Sequence, residues 1–509
     1  MTFASESTRL LQLQDDHRPA LITETGTISF GQLRRRIAET RARLLALGVR
    51  PGLRVALSFP NSADILYLAY ALCDIGAAIV PLHPSTPPAF VTRILGFLGV
   101  SHFIVPKDSG LLRLKLTCPI VSLEQLMTLP PQSAYEPPPP APDDIAVLIT
   151  TSGTTADPKF VPITQRNFAT IIDATRAILA PMSDFDRGCS FIMVFPLSSS
   201  GIFPTMAQLA LGSTYVLTDD VSPHNFLSLI QQHQLDGMQC PPAYLETLVR
   251  FPVENYNVCS ITRLNSGSDF VPNKLIWALK KKFKNLEHIG IGYGLAETSA
   301  IIATWNAHGE KDFDTPTHCY RICNPADNQI KIIGASGAVD TGEKGEICIR
   351  GNSVIPGYFQ NPELTAQMFD AEGWLHTGDV GTLNDDGTLM LQGRHKFTIK
   401  RGGRSISPKS VESALEEHPG VARAVAVGVP QELFGEMIWA FITKAPGATL
   451  TVGDINAFCR ETLPAYLKPD NIVFMEKLPR TKGVGKIDYA QLKQIGAQKL
   501  NEMLGENYG

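Results

Sequence analysis

A run of hydroxyls, glycine and lysine, Thr151-Ser152-Gly153-Thr154-Thr155-Ala156-Asp157-Pro158-Lys159, is well equipped to handle a polyanion. It offers four side-chain hydroxyls, one ammonium and several backbone N–H groups to phosphate oxygens. By composition alone the same run also reads as an ordinary turn. Four further segments follow it in an order that suits one reaction. Gly292-Tyr293-Gly294-Leu295-Ala296-Glu297-Thr298 sets an aromatic ring, a carboxylate and a hydroxyl after the apolar His288-Ile289-Gly290-Ile291. Thr377-Gly378-Asp379 puts a carboxylate beside a glycine, and Gly393-Arg394-His395-Lys396 opens a basic stretch running to Arg404. Near the end stands Lys482-Gly483-Val484-Gly485-Lys486-Ile487.

These residues need elements to hold them. Asp144 to Ile149 reads as a strand entering the hydroxyl-rich loop, and Phe30 to Leu47 as an amphipathic helix. Arg54 to Phe59 is a strand, Asn61 to Asp74 a helix, and Ala78 to Leu82 a buried strand. Helix and strand taking turns in this way predict parallel sheets covered by helices. Trp374 to Asp379 and Gly387 to Leu391 read as a small β unit. Ser410 to His418 and Ile455 to Leu463 read as helices flanking a strand over Ala422 to Val429. The fold class expected is therefore α/β and multidomain. It has a large N-terminal domain of two βα-layered subdomains plus a small β unit, and a small α+β C-terminal domain. Residues 1–394 form the first domain, with a proline-rich seam near 136–144, and residues 395–509 form the second.

At 509 residues the chain exceeds a single core. A charge of −4 gives no reason to expect nucleic acid. The nine cysteines include no Cys-x-x-Cys pair, and His318, Cys319 and Cys323 lack a second ligand pair at zinc-like spacing. Met1 to Glu6 lacks the basic start and apolar core of a signal peptide. No apolar stretch reaches membrane-spanning length, since Ile65 to Leu82 is broken by Asp74 and Gly76. A cytoplasmic protein with reduced thiols is expected.

Five motifs in this order make the chain resemble the adenylate-forming (AMP-binding) superfamily, most closely acyl-CoA synthetases, from about residue 20 to 490. The resemblance implies ATP-dependent activation of a carboxylic acid to an acyl-adenylate, release of pyrophosphate, and transfer to a thiol, most naturally coenzyme A. The alternative is a stand-alone adenylating enzyme that passes the acyl group to a carrier protein or an amine. The resemblance assigns Thr151, Ser152, Gly153, Thr154, Thr155 and Lys159 to the β- and γ-phosphates of ATP. It assigns Glu297 to Mg²⁺, Tyr293 to adenine, Gly294 to the nucleotide, and Thr298 to the α-phosphate region. Asp379 and Arg394 go to the ribose, and Gly267 with Ser268 to the segment along adenine and acyl group. Lys486 would be the catalytic cation that meets the attacking carboxylate and the α-phosphate. Such a group helps because two anions must approach one another in the transition state. Lys396 would be the hinge of a mobile C-terminal domain that alternates between two poses. After rotation the segment Lys400 to Gly403 would face the pantetheine channel; its charges read equally well as solvated surface.

Three segments depart from the family pattern. Ala156 and Phe160 stand where glycine is frequent, and Ser198-Ser199-Ser200 replaces an aromatic–histidine pair. Ser410 stands where an acid is common. The acid pocket is expected around Ser199, Gly201, Phe203, Tyr244 and Gly292. An aromatic or medium-length aliphatic acid is favoured over an amino acid.

Overall fold

The computed structural model describes residues 1–131, 135–151, 159–179, 189–199, 201–299, 301–322, 328–334, 337–394, 397, 399–401, 404–431, 435–463, 467–481 and 485–505. Contacts divide the chain into two compact units. The first comprises Met1–Thr317, Arg321–Gln329 and Ile349–Leu375, and the second His318–Tyr320, Ile330–Cys348 and His376–Gly509.

The first unit holds two βα layers, as alternating helix and strand patterns require. One sheet runs in the order Ile120–Ser122, His102–Val105, Arg54–Leu57, Ala78–Pro81, Ile145–Thr151, Lys159–Thr164. All its neighbours are parallel except the last pair, an antiparallel hairpin in which Thr151 faces Lys159. The helix Ala63–Ile75 covers it, and ten of that helix's residues are buried. Such all-round burial is why its apolar pattern looked nearly continuous in the sequence. The second sheet sets His288–Tyr293, Arg263–Gly267, Gly237–Gln239, Ser190–Met193, Thr214–Val216 and Pro19–Thr23 side by side and parallel. In open parallel sheets ligands bind beyond the carboxyl ends of the strands. Gly267, Ser268, Tyr293 and Gly294 lie at such ends.

The second unit contains the hairpin Leu375–Leu383/Thr388–Arg394 beside Lys344–Arg350, as the expected small β unit. It also holds a sheet built on the long antiparallel pair Val421–Gln431 and Gly435–Lys444. Side chains alternate across that pair as a strand demands. Ala424, Ala426, Ala440 and Ile442 pack with Val411, Leu415 and Ile455 of the helices Pro408–Glu416 and Val452–Thr462. Val425, Val427, Trp439 and Phe441 pack on the opposite face with Leu478, Ile487 and Leu492. Leu492 belongs to a helix, Tyr489–Gly505, that the sequence reading did not anticipate.

Candidate active site

The hydroxyl-rich loop is anchored at both ends by the hairpin just described. Ser152, Gly153, Thr154, Thr155 and Ala156 themselves, and the side chain of Thr151, lie outside the described residues. At the return of the hairpin Lys159 starts its strand, and its ammonium stands 5.9 Å from the centroid of the Tyr358 ring. That is within the range of a cation–π contact. Phe160, one of the family departures, pairs with Thr150 in the strand, is buried, and stacks on Phe97. A regular strand position asks for no glycine, so the loop's departure there is carried by apolar packing.

Tyr358 joins this lysine to Glu297. Its phenol O–H donates to Glu297 Oε1 at 2.6 Å. Burial, and then the neighbouring Glu297 charge, push the Tyr358 phenol well above its ordinary range, so it stays a donor at neutral pH. Glu297 sits in the short turn Ala296–Thr298. The Thr298 hydroxyl braces that turn by accepting from Leu295 N–H at 2.9 Å and donating to Leu295 O at 3.0 Å. Glu297 O accepts from Ile355 N–H at 3.0 Å, so backbone and side chain are both tied to the 355–358 segment. That segment turns at Gly357, where φ is +146° and an added Cβ would lie 2.7 Å from Thr365 Cγ2. Only glycine satisfies both conditions. Tyr358 is absent from the sequence-derived site; the Pro356-Gly357-Tyr358 turn was its one visible signal.

Gly267 and Gly292 are register partners on adjoining parallel strands. A Cβ on Gly267 would stand 3.0 Å from Gly292 O, and one on Gly292 would stand 2.7 Å from Ile301 Cδ1. Close backbone approach therefore dictates Gly267, and the space above Gly292 is taken up by Ile301. Ser268, next after the strand Arg263–Gly267, and Ser299, next after the Glu297 turn, have φ of +71° and +56°. Non-glycine residues in this region cluster where a site holds its backbone against preference. Tyr293 ends its strand and is buried.

Among the residues expected around the acid, Gly201 is required by backbone, since its Cβ would stand 2.5 Å from Phe195 O. Ser199 donates to Pro196 O at 3.1 Å. Phe203 is a core residue meeting Phe168 edge-on at 5.4 Å. Tyr244, on the helix Pro242–Arg250 that leaves the strand Gly237–Gln239, meets Phe226 edge-on at 5.1 Å. Its hydroxyl oxygen is buried without a hydrogen-bond partner among the described residues, and burial raises the phenol's pKa. An unmade hydrogen bond of this kind costs on the order of 1–3 kcal/mol.

In the second unit the hairpin register puts Asp379 directly opposite Arg394, and Arg394 Nε donates to Asp379 Oδ1 at 2.6 Å. Asp379 is 5% exposed. Its N–H donates to Thr377 Oγ1 at 3.0 Å, and Thr377 Oγ1 donates to Ile347 O at 2.7 Å. Gly378 turns with φ +70°, and its N–H donates to Glu346 Oε1 at 2.9 Å. The other oxygen of Glu346 lies 2.9 Å from His376 Nδ1, and Cys348 Sγ lies 3.6 Å from the same nitrogen. Glu346, Cys348 and His376 form a metal-capable group among the described residues. Glu346 already uses both its oxygens, which fits a clamp on the turn holding Asp379. This group was missed in the sequence because His376 sits on a different strand from Glu346 and Cys348.

Lys486 lies on a short antiparallel arm. Arg480 and Ile487 form a bridge, Thr481 N–H donates to Lys486 O at 2.8 Å, and Arg480 Nη1 donates to Gly485 O at 2.8 Å. Gly485 turns with φ +72°, and Lys486 is exposed. Lys396 lies outside the described residues.

A carboxylate held just past the end of the parallel strand His288–Tyr293 lies where open α/β sheets bind their ligands. The AMP-binding enzyme family model matches residues 12–359, and the AMP-binding enzyme C-terminal domain model residues 410–484. The chain belongs to this family and is an AMP-forming ligase, similar to acyl–CoA ligases. A 4-coumarate–CoA ligase 1 of Solanum tuberosum is 30% identical over 68% of this chain and 64% of that protein. The 4-coumarate–CoA ligase 1 of Narcissus pseudonarcissus is 26% identical over 94% of this chain and 91% of its own length. Among solved structures, the amide bond synthetase McbA from Marinactinospora thermotolerans superposes with a TM-score of 0.84. That match has 25% identity over 97% of this chain and 99% of the other. No helix among the described residues is long and apolar enough to cross a membrane.

Proposed function

We propose that the protein activates a carboxylic acid with ATP, releases pyrophosphate, and passes the acyl group from its adenylate to the thiol of coenzyme A. The observation that carries this reading is the line Lys159–Tyr358–Glu297. It gathers a cation and a carboxylate where the hydroxyl-rich hairpin closes. Residues 151–155 and Lys159 receive the β- and γ-phosphates. Glu297 offers hard oxygen donors suited to Mg²⁺, and Tyr358 holds it without neutralising its charge. When bound, that ion would screen the phosphate charges. Thr298 stands with Glu297 on the α-phosphate side. Tyr293 with Gly267 and Ser268 takes the adenine, Gly294 contacts the nucleotide, and Asp379 with Arg394 takes the ribose. Lys486 supplies the cation between the attacking carboxylate and phosphorus. Residues 395–509 form a mobile domain turning about Lys396.

The acid is assigned to the face bearing Ser199, Gly201, Phe203, Tyr244 and Gly292. The Tyr244 hydroxyl, which has no hydrogen-bond partner among the described residues, serves as its polar anchor, which favours an aromatic or medium-length acid carrying one acceptor group. The eight described cysteines are all free thiols, which suits the cytoplasm. A second reading, transfer to an amine, draws on the likeness to the amide bond synthetase. Acid-dependent ATP–pyrophosphate exchange across a panel of carboxylic acids tests the activation step. Mass analysis after adding coenzyme A, an amine or a carrier protein tests the acceptor. No exchange with any acid overturns the reading, and an adenylate that persists with coenzyme A but yields an amide favours the second.

A further inference from the structure

The base of the arm carrying Lys486 is fastened to the chain just beyond residue 396. The Tyr489 ring stacks on the Phe397 ring, with centroids 4.5 Å apart and planes inclined by 17°. The Tyr489 hydroxyl donates to Glu412 Oε1 at 3.2 Å. Glu412 is itself a fixed point, 1% exposed. Its Oε1 also accepts Ala426 N–H at 3.0 Å, and its Oε2 accepts Lys409 Nζ at 2.9 Å. Between Lys486 and Tyr489, Ile487 is buried in the core with Val427, Trp439 and Phe441, and Asp488 N–H donates to Pro479 O at 2.9 Å. The ring is thus held at its face and at its tip, one helical start away from the lysine.

We propose that Tyr489 is a positioning residue for Lys486, and that the Phe397–Tyr489 stack makes the segment after residue 396 and the lysine arm turn as one body. This rests on the proposed assignment of Lys486 to adenylation and of Lys396 to the hinge. A lysine ammonium rides on a flexible four-carbon stem, so the protein can preset little except the stem's root. Stacking limits tilt and sliding at that root, and the hydrogen bond to an immobile carboxylate limits rotation of the ring. A turn begun near residue 396 then reaches the lysine undiminished. Without the stack, the ammonium is displaced from its working position and only the step that uses it suffers.

The test uses the full chain and an acid accepted in the exchange panel. Tyr489→Ala and Phe397→Ala should each lower pyrophosphate exchange roughly tenfold to a hundredfold, the penalty of a slightly misplaced catalytic group, with KM for ATP little changed. Tyr489→Phe, which keeps the stack, should retain most of the activity. Lys486→Ala should lower exchange by about 10²–10³-fold, and thioester formation from supplied adenylate much less. On the Lys486→Ala background, Tyr489→Ala should cost nothing more, because it acts through the lysine. If Lys486→Ala leaves exchange intact, the lysine assignment itself fails. If Lys486→Ala is inactive while Tyr489→Ala matches the unaltered enzyme, or the two losses multiply, the positioning role is overturned. Should either alanine variant fail to fold, Tyr489→Leu and Phe397→Leu keep apolar volume without the ring stack and replace it in the same comparison.

Discussion

Glu297 and Asp379 are both carboxylates carried by short glycine-rich motifs, yet the two units hold them by opposite means. Glu297 is gripped by a neutral phenol, so the hydrogen bond fixes its place and leaves its negative charge whole. Asp379 is buried and paired with a guanidinium, so its charge is already balanced. A full charge attracts a cation; a carboxylate whose charge is already balanced is better suited to neutral hydroxyls. The difference teaches that the partner of a carboxylate, more than its identity, decides which ligand it can serve.

The largest expected effect is at Glu297. Glu297→Gln should lower adenylation by roughly 10²–10³-fold, the scale for one electrostatic stabiliser, and added Mg²⁺ should restore part of it. Exchange assays across a Mg²⁺ titration decide this, and a loss insensitive to Mg²⁺ would erase the contrast with Asp379. Next comes Asp379→Ala, expected to lower kcat/KM for ATP by about 10²-fold through lost charged hydrogen bonds. Mg²⁺ should not rescue it, and the variant should no longer separate ATP from 2′-deoxy-ATP; steady-state kinetics with both nucleotides show whether it does. The smallest of the three is Tyr358→Phe. Losing one hydrogen bond to a charged group should cost about tenfold in exchange and shift the Mg²⁺ optimum upward. An unchanged Mg²⁺ curve would mean the phenol plays no part in holding Glu297.

The fold class was legible because burial imposes period on sequence. Alternating runs such as Arg54 to Phe59 and Ala78 to Leu82 became parallel neighbours in one sheet, and the small β unit around Trp374 formed as a hairpin. Local glycine-rich motifs marked Glu297 and Asp379 before any coordinates. Tyr358 and Glu346 left almost no local signal, since each is defined by a partner on a distant segment. The helix Tyr489–Gly505 was overlooked because its apolar residues serve a core whose other half lies in Val425, Val427 and Phe441.

By itself, the order of residues determined which chemical groups are available and that helices and strands must alternate, because propensity and periodicity act over a few residues. Only the tertiary structure decided that a phenol holds Glu297, that Arg394 balances Asp379, and that Phe397 lies against Tyr489. Those pairings depend on register and on the packing of distant segments, whose free energy is settled only when the whole core closes.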